Sequence, residues 1–171
     1  HYWGYRNFPV KDASTNIVPW GILIGGEELH NNHHAYAKSA KLSSRWYEID
    51  IGWMYICGLR MMGLANVKHI APRVKFDAAK TECDLETLET VLAVQFDVLA
   101  RFDSLVKKAH AKAHDMAVLR DDLVVLWQNK THSKEQMLAH LRVWCKQAEA
   151  SGIPRLQRFA ERLPRCRLKP F

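Results

Sequence analysis

Three histidines, His30, His33 and His34, stand at relative positions 0, 3 and 4 in the run His30-Asn31-Asn32-His33-His34. On a helix, residues three and four apart lie one turn from each other, so all three imidazoles leave one face. A single turn of that kind is a multidentate metal site. Imidazole nitrogen suits iron, copper or zinc, and neutral ligands leave the positive charge on the metal. A lone histidine is more often structural; three on one face point to metal ligation. No HExxH is present, so this is not the helix of a zinc protease. Ligating rings usually donate their second N–H to a carboxylate or a carbonyl, which fixes the tautomer. Glu27, Glu28, Glu48 and Asp50 are the nearby candidates, with a solvated acidic face as the alternative.

The remaining histidines read differently. His110 and His114 are four apart on an expected helix and have the spacing to clip a metal, but no further ligand is spaced to finish that site. A solvated face is the better reading for them, as for His69, His132 and His140. Cys57, Cys83, Cys145 and Cys166 lie 26, 62 and 21 residues apart, so no CxxC pair suggests a zinc ribbon or a redox dithiol. They read as reduced cysteines.

The elements that must position the histidines follow from patterning. Residues 1–16 carry Gly4, Pro9 and the turn-forming cluster from Asp12 to Asn16, and read as loop with short ordered pieces. Pro19, Gly21, Gly25 and Gly26 punctuate the next segment, after which residues 27–40 lack glycine and proline and can be helical around the histidines. Residues 48–66, rich in Trp53, Met54, Tyr55, Met61 and Met62, suit a helix lying in a membrane interface, or else a core helix of a soluble domain. A span across the hydrocarbon needs about 20 mostly apolar residues, and no stretch supplies them. Residues 66–80 read as a linker.

Beyond it the character changes. Asp84 is placed as an N-cap for a long amphipathic helix whose apolar residues run from Leu85 to Val106 at helical spacing. A second run, Met116, Leu119, Leu123, Leu126 and Trp127, continues it or follows a short break near His114. Ser133-Lys134-Glu135-Gln136 matches a capping box, Gly152 suits a left-handed C-cap, and Pro154 suits the first turn of a last helix striped by Leu156, Phe159 and Leu163. The fold class is thus mainly α, a histidine-bearing segment with an interfacial helix followed by a small helical bundle, with domains at 1–80 and 81–171.

Composition sets the outer bounds. In 171 residues the apolar share is 48% and the charged share 25%, which argues against wholesale disorder. The net charge of +7 is spread over both halves: 10 basic and 6 acidic residues in 1–80, 15 and 12 in 81–171. The one dense basic stretch, residues 155–171, reads as a solvated helix end or as a patch for an anionic lipid surface or nucleic acid. The first residue is His1 and no signal segment follows it, so a fragment is expected.

The stretch from Gly26 to His34 resembles the third histidine box of the membrane-bound acyl-lipid and acyl-CoA desaturases, the stearoyl-CoA desaturase type included. His1-Tyr2-Trp3-Gly4-Tyr5-Arg6 resembles the segment before that box, and Arg45 to Asp50 with Trp53 to Gly63 resembles the helix after it. Together these cover roughly the first 75 residues. Tyr36-Ala37 departs from the family, which usually has a proline there. Residues 81–171 resemble, more weakly, a helical extension of bacterial members.

The resemblance implies a part of an oxidoreductase of fatty acid biosynthesis in which two iron ions, held by histidines from three boxes, activate dioxygen and remove two hydrogens from an acyl chain. Carried over, His1, His30, His33 and His34 are iron ligands. It also implies a fatty acyl-CoA or acyl-lipid substrate, and an electron donor of the ferredoxin or cytochrome b5 type. The intact parent is expected in a membrane with its active site facing the cytoplasm, with no nucleic acid partner. The other boxes are absent, so the fragment is expected to be inactive alone. Two alternatives stay open: a hydroxylase or other oxygenase of the same superfamily, and a non-enzymatic helical module that binds anionic surfaces and holds a structural metal.

Overall fold

The computed structural model describes residues 3–107, 113–128 and 132–169, apart from the side chains of residues 113 and 114. His1 and His110 therefore lie outside the described residues, as does the side chain of His114. The chain divides into two compact units, His1–Ala71 and Pro72–Phe171. Among the described residues the secondary structure is mainly α, as expected. No helix among them is long and apolar enough to cross a membrane.

The first unit is loops gathered round one short helix. Strand β1 (Trp20–Gly21) pairs in parallel with β2 (Ile49–Asp50), and an isolated antiparallel bridge joins Tyr5 to Asn16. Between them, a 3-10 turn (Glu27–Leu29) runs into α1 (His30–Ala35). The helical segment stops at Tyr36, short of the position 40 that the absence of glycine and proline allows, and Tyr36 leaves helical geometry at φ −134°. Helix α2 (Ile51–Met61) opens on Asp50, whose carboxylate accepts the Trp53 amide at 2.9 Å as an N-cap. It has no buried residue, and Met54, Tyr55, Leu59 and Met61 are exposed, so α2 is not a core helix of this chain.

Loops at the surface of so small a unit need their backbone polar groups satisfied, and three buried carboxylates do this. Glu28 accepts the amides of Leu23, Ile24 and Gly26. Glu48 accepts from Tyr5, Asn7, Asn32, and the amides of Ser44 and Arg45. Asp50 accepts the amides of Leu42 and Ser43 besides its cap. Burial pushes the Glu28 carboxyl up, but the backbone donors outweigh it and hold it below its usual range.

The second unit is a helical bundle with a conventional apolar core. Helices α3 (Leu85–Ala93), α4 (Gln95–Lys107), α5 (Ala113–Gln128), α6 (Lys134–Ala150) and α7 (Pro154–Arg162) bury Leu88, Val91, Phe102, Met116, Leu123, Leu141 and Leu156 together. Phe102, Trp144 and Phe159 meet edge to face at centroid distances of 5.9 to 6.1 Å. The single helix expected from Leu85 to Val106 is broken at Val94, whose φ of −109° and ψ of 29° leave the helical region, although Val94 itself is in the core. The expected caps appear: Ser133 and Gln136 bond reciprocally, Gly152 takes φ +66°, and Pro154 opens α7. Residues 72–80, read as linker, belong to this unit because β3 (Val74–Phe76) pairs antiparallel with β4 (Cys166–Leu168).

Candidate metal centre

Helix α1 is short, and its two faces are chemically opposite. Asn31 and Asn32 are buried, whereas His30 and His33 are half-buried and His34 is exposed. Each asparagine uses its amide fully. Asn31 accepts the Asn7 and Phe8 amides at 2.8 and 2.9 Å and donates to the carbonyls of Phe8 and Ser14. Asn32 accepts from Asn7 and Asn16 and donates to the Leu42 carbonyl and Glu48. An amide side chain has two donor and two acceptor positions, so both are saturated. The turn is therefore anchored from below by the two residues that separate its histidines.

Above it, the imidazoles cluster: ring centroids lie 4.3 Å apart for His30 and His34, 6.0 Å for His30 and His33, and 5.9 Å for His33 and His34. His34 donates Nδ1–H to Asp12 Oδ2 at 2.7 Å, and His30 Nδ1 lies 3.4 Å from Glu27 Oε2. A carboxylate on Nδ1 fixes the tautomer in which Nε2 carries the free lone pair, the form that binds a metal. Ser14, whose amide donates to Oδ1 at 2.8 Å, together with His34 holds the Asp12 carboxyl well below the usual carboxylate range.

Of the four carboxylates nearby in sequence, only Glu27 faces a histidine. Glu28, Glu48 and Asp50 are staples of the loops that carry α1. Asp12, which sequence reasoning missed, is 22 residues before His34, and nothing in the spacing marks it. The anchoring role of Asn31 and Asn32 was also missed, although positions one and two after His30 fall away from the histidine face on any helical projection.

The donor chemistry fits a transition metal, with imidazoles of which His30 and His34 each face a carboxylate. Among the described residues, however, no group of three His, Cys, Asp or Glu side chains is arranged to hold an ion. The three rings share one face of the turn and lie within 6.0 Å of one another, centroid to centroid.

The chain is 45% identical over 66 residues to the Delta-9 desaturase-like 1 protein of Arabidopsis thaliana, a span of 39% of this chain and 22% of that protein. It is 45% identical over 69 residues to the sn-1 stearoyl-lipid 9-desaturase of Anabaena variabilis, covering 40% and 25% of the two chains. The sn-2 palmitoyl-lipid 9-desaturase of Nostoc sp. (strain 36) is 45% identical over 66 residues, 39% and 23% of the respective lengths. Two of these relatives are named as acyl-lipid 9-desaturases and the third as a desaturase-like protein. The resemblance read from the histidine run and its flanks is thus borne out. The chain spans about a quarter of the length of the curated relatives it matches. No family model matches it, and no solved structure does.

Proposed function

We propose that this chain is the portion of a membrane-bound, iron-dependent acyl desaturase that carries its third histidine box, with His1, His30, His33 and His34 as iron ligands. The observation that carries the reading is the 2.7 Å contact of His34 Nδ1 with Asp12, which leaves Nε2 available on an exposed ring. Identity of 45% to two named 9-desaturases supports the reaction class. Iron in the assembled parent supplies the activation of dioxygen needed to remove two hydrogens from an unactivated acyl chain. The residues of this chain bind and orient. Asp12 and Glu27 set the tautomers of His34 and His30, and Asn31 and Asn32 keep the turn from rotating its rings away.

The substrate is an acyl-CoA or acyl-lipid, and electrons come from a ferredoxin or a cytochrome b5 type donor. The parent is a membrane protein whose active site faces the cytoplasm, and the exposed apolar residues of α2 lie in the interface. Residues 81–171 are a helical extension. Four histidines are too few donors for two ions, so the chain by itself does not desaturate.

The test uses the full-length parent. Replacing His30, His33 and His34 by alanine together should abolish both bound iron and double-bond formation, measured by metal analysis and by chromatography of acyl products. Retention of iron and activity would refute the assignment.

A further inference from the structure

The second unit holds a pair of thiols that the metal chemistry does not use. Cys83 and Cys145, 62 residues apart, place their sulfurs 3.8 Å from each other, and both side chains are buried. Cys83 lies on irregular backbone just before the Asp84 cap of α3, and Cys145 lies inside α6. We propose that these two residues form an oxidisable dithiol, converted by hydroperoxides into an intramolecular disulfide that ties the lead-in of α3 to α6.

Geometry makes the bond accessible. Sulfurs in a disulfide are roughly 2.0 Å apart, so the pair must close by less than the width of one atom. The helix holds Cys145 still, and the backbone at Cys83, free of helical hydrogen bonding, absorbs the movement. The surroundings of the two sulfurs select the attacking partner. The Arg142 guanidinium donates to the Cys83 carbonyl at 2.9 Å, and Lys80, paired with Asp84 and Glu86, stands nearby. The hydrogen bond shared with Cys145 and then the Arg142 and Lys80 charges outweigh burial and the Asp84 charge to lower the Cys83 thiol below its ordinary value. Cys145 is pushed up by the same contact, by burial and by Glu149. Thiolates attack and thiols do not, so Cys83 is the nucleophile and Cys145 resolves.

The chemistry balances in two steps. The Cys83 thiolate attacks one oxygen of hydrogen peroxide, the O–O bond breaks, and the sulfur becomes a sulfenic acid while the other oxygen leaves as hydroxide and is protonated to water. The Cys145 sulfur then displaces the sulfenic hydroxyl. Its own proton leaves with that hydroxyl as a second water, and the two thiols together have given two electrons to one peroxide. The closed loop encloses residues 84–144. Linking them reduces the freedom of the unfolded chain and stiffens the bundle.

Exposure of the reduced 171-residue chain to hydrogen peroxide, followed by alkylation and digestion without reductant, tests the proposal. The expected product has lost the mass of two hydrogen atoms, yields one Cys83–Cys145 crosslinked peptide, leaves Cys57 alkylated, melts higher than the reduced form, and returns to it with dithiothreitol. In Cys145→Ala, a dione probe for sulfenic acid should label Cys83; in Cys83→Ala, Cys145 should remain an unmodified thiol. Recovery of both thiols alkylated, at a dose that oxidises a cysteine peptide in the same tube, would overturn it. So would a crosslink from Cys83 to Cys57 or Cys166. The wild-type peptide map decides even where a variant fails to fold.

Discussion

Asp12 reaches His34 across 22 residues, and the contact is short enough to control the ring. Carboxylates in this position typically influence metal affinity or activity by about 10- to 100-fold. Asp12→Ala in the full-length parent should therefore lower iron occupancy at limiting iron by a factor in that range, read by metal titration, while Asp12→Asn, which still accepts from Nδ1–H, should lose less. Asn32 makes a different prediction. Its removal leaves donors on Asn7 and Asn16 and acceptors on Glu48 and Leu42 short of a partner in a buried site. Each unsatisfied group costs about 1–3 kcal/mol, so Asn32→Ala should unfold the first unit at lower denaturant, seen as loss of amide protection at Leu42 and Ser44. Gly26 is comparably constrained: its φ is +104°, and an added Cβ would meet the Asp50 carboxylate at 2.8 Å.

Among the elements, helix starts in the second unit are set by local chemistry and are individually testable. Asp84 caps α3 through the Thr87 amide at 2.8 Å and is paired with Lys80 at 2.6 Å. Burial alone would raise its carboxyl, but these contacts hold it down to about 2, against an ordinary value of 3.8. A depressed folded pKa means the stabilisation is complete above the unfolded value and is lost as pH falls through the folded one. The wild-type chain should therefore lose stability relative to Asp84→Asn between pH 4 and pH 2, and the two should be parallel above pH 5, as followed by circular dichroism. The capping box of α6 should cost about 1 kcal/mol on Ser133→Ala. These starts were legible because a cap bonds within three residues. The break between α3 and α4 was not: Val94 and Val98 continue the apolar stripe without glycine or proline, and only packing of the bundle shows where the helix turns.

Taken over the whole molecule, the two units bury their apolar residues unequally. The second has a continuous core, whereas the first exposes Trp3, Trp20, Leu23, Trp46, Met54, Tyr55, Met61, Met62 and Leu64. Where such residues gather in one patch they mark contact with a protein or a membrane. The chain should bind zwitterionic vesicles in high salt, and the variant Met54→Gln, Met61→Gln, Met62→Gln should bind less, measured by co-sedimentation. Binding that vanishes with added salt would instead indicate the basic residues 155–171. The shared histidine face was legible in the chain alone, because three histidines within five residues share a turn whatever surrounds them. The sequence by itself also determined most helices of the second unit, because periodicity and caps act locally. Only tertiary structure decided which carboxylates serve the histidines. Glu28, Glu48 and Asp50, near them in the chain, are drawn into satisfying buried loop amides, while Asp12 arrives from a turn far away. That choice depends on how loops close in space, which neither residue type nor spacing encodes.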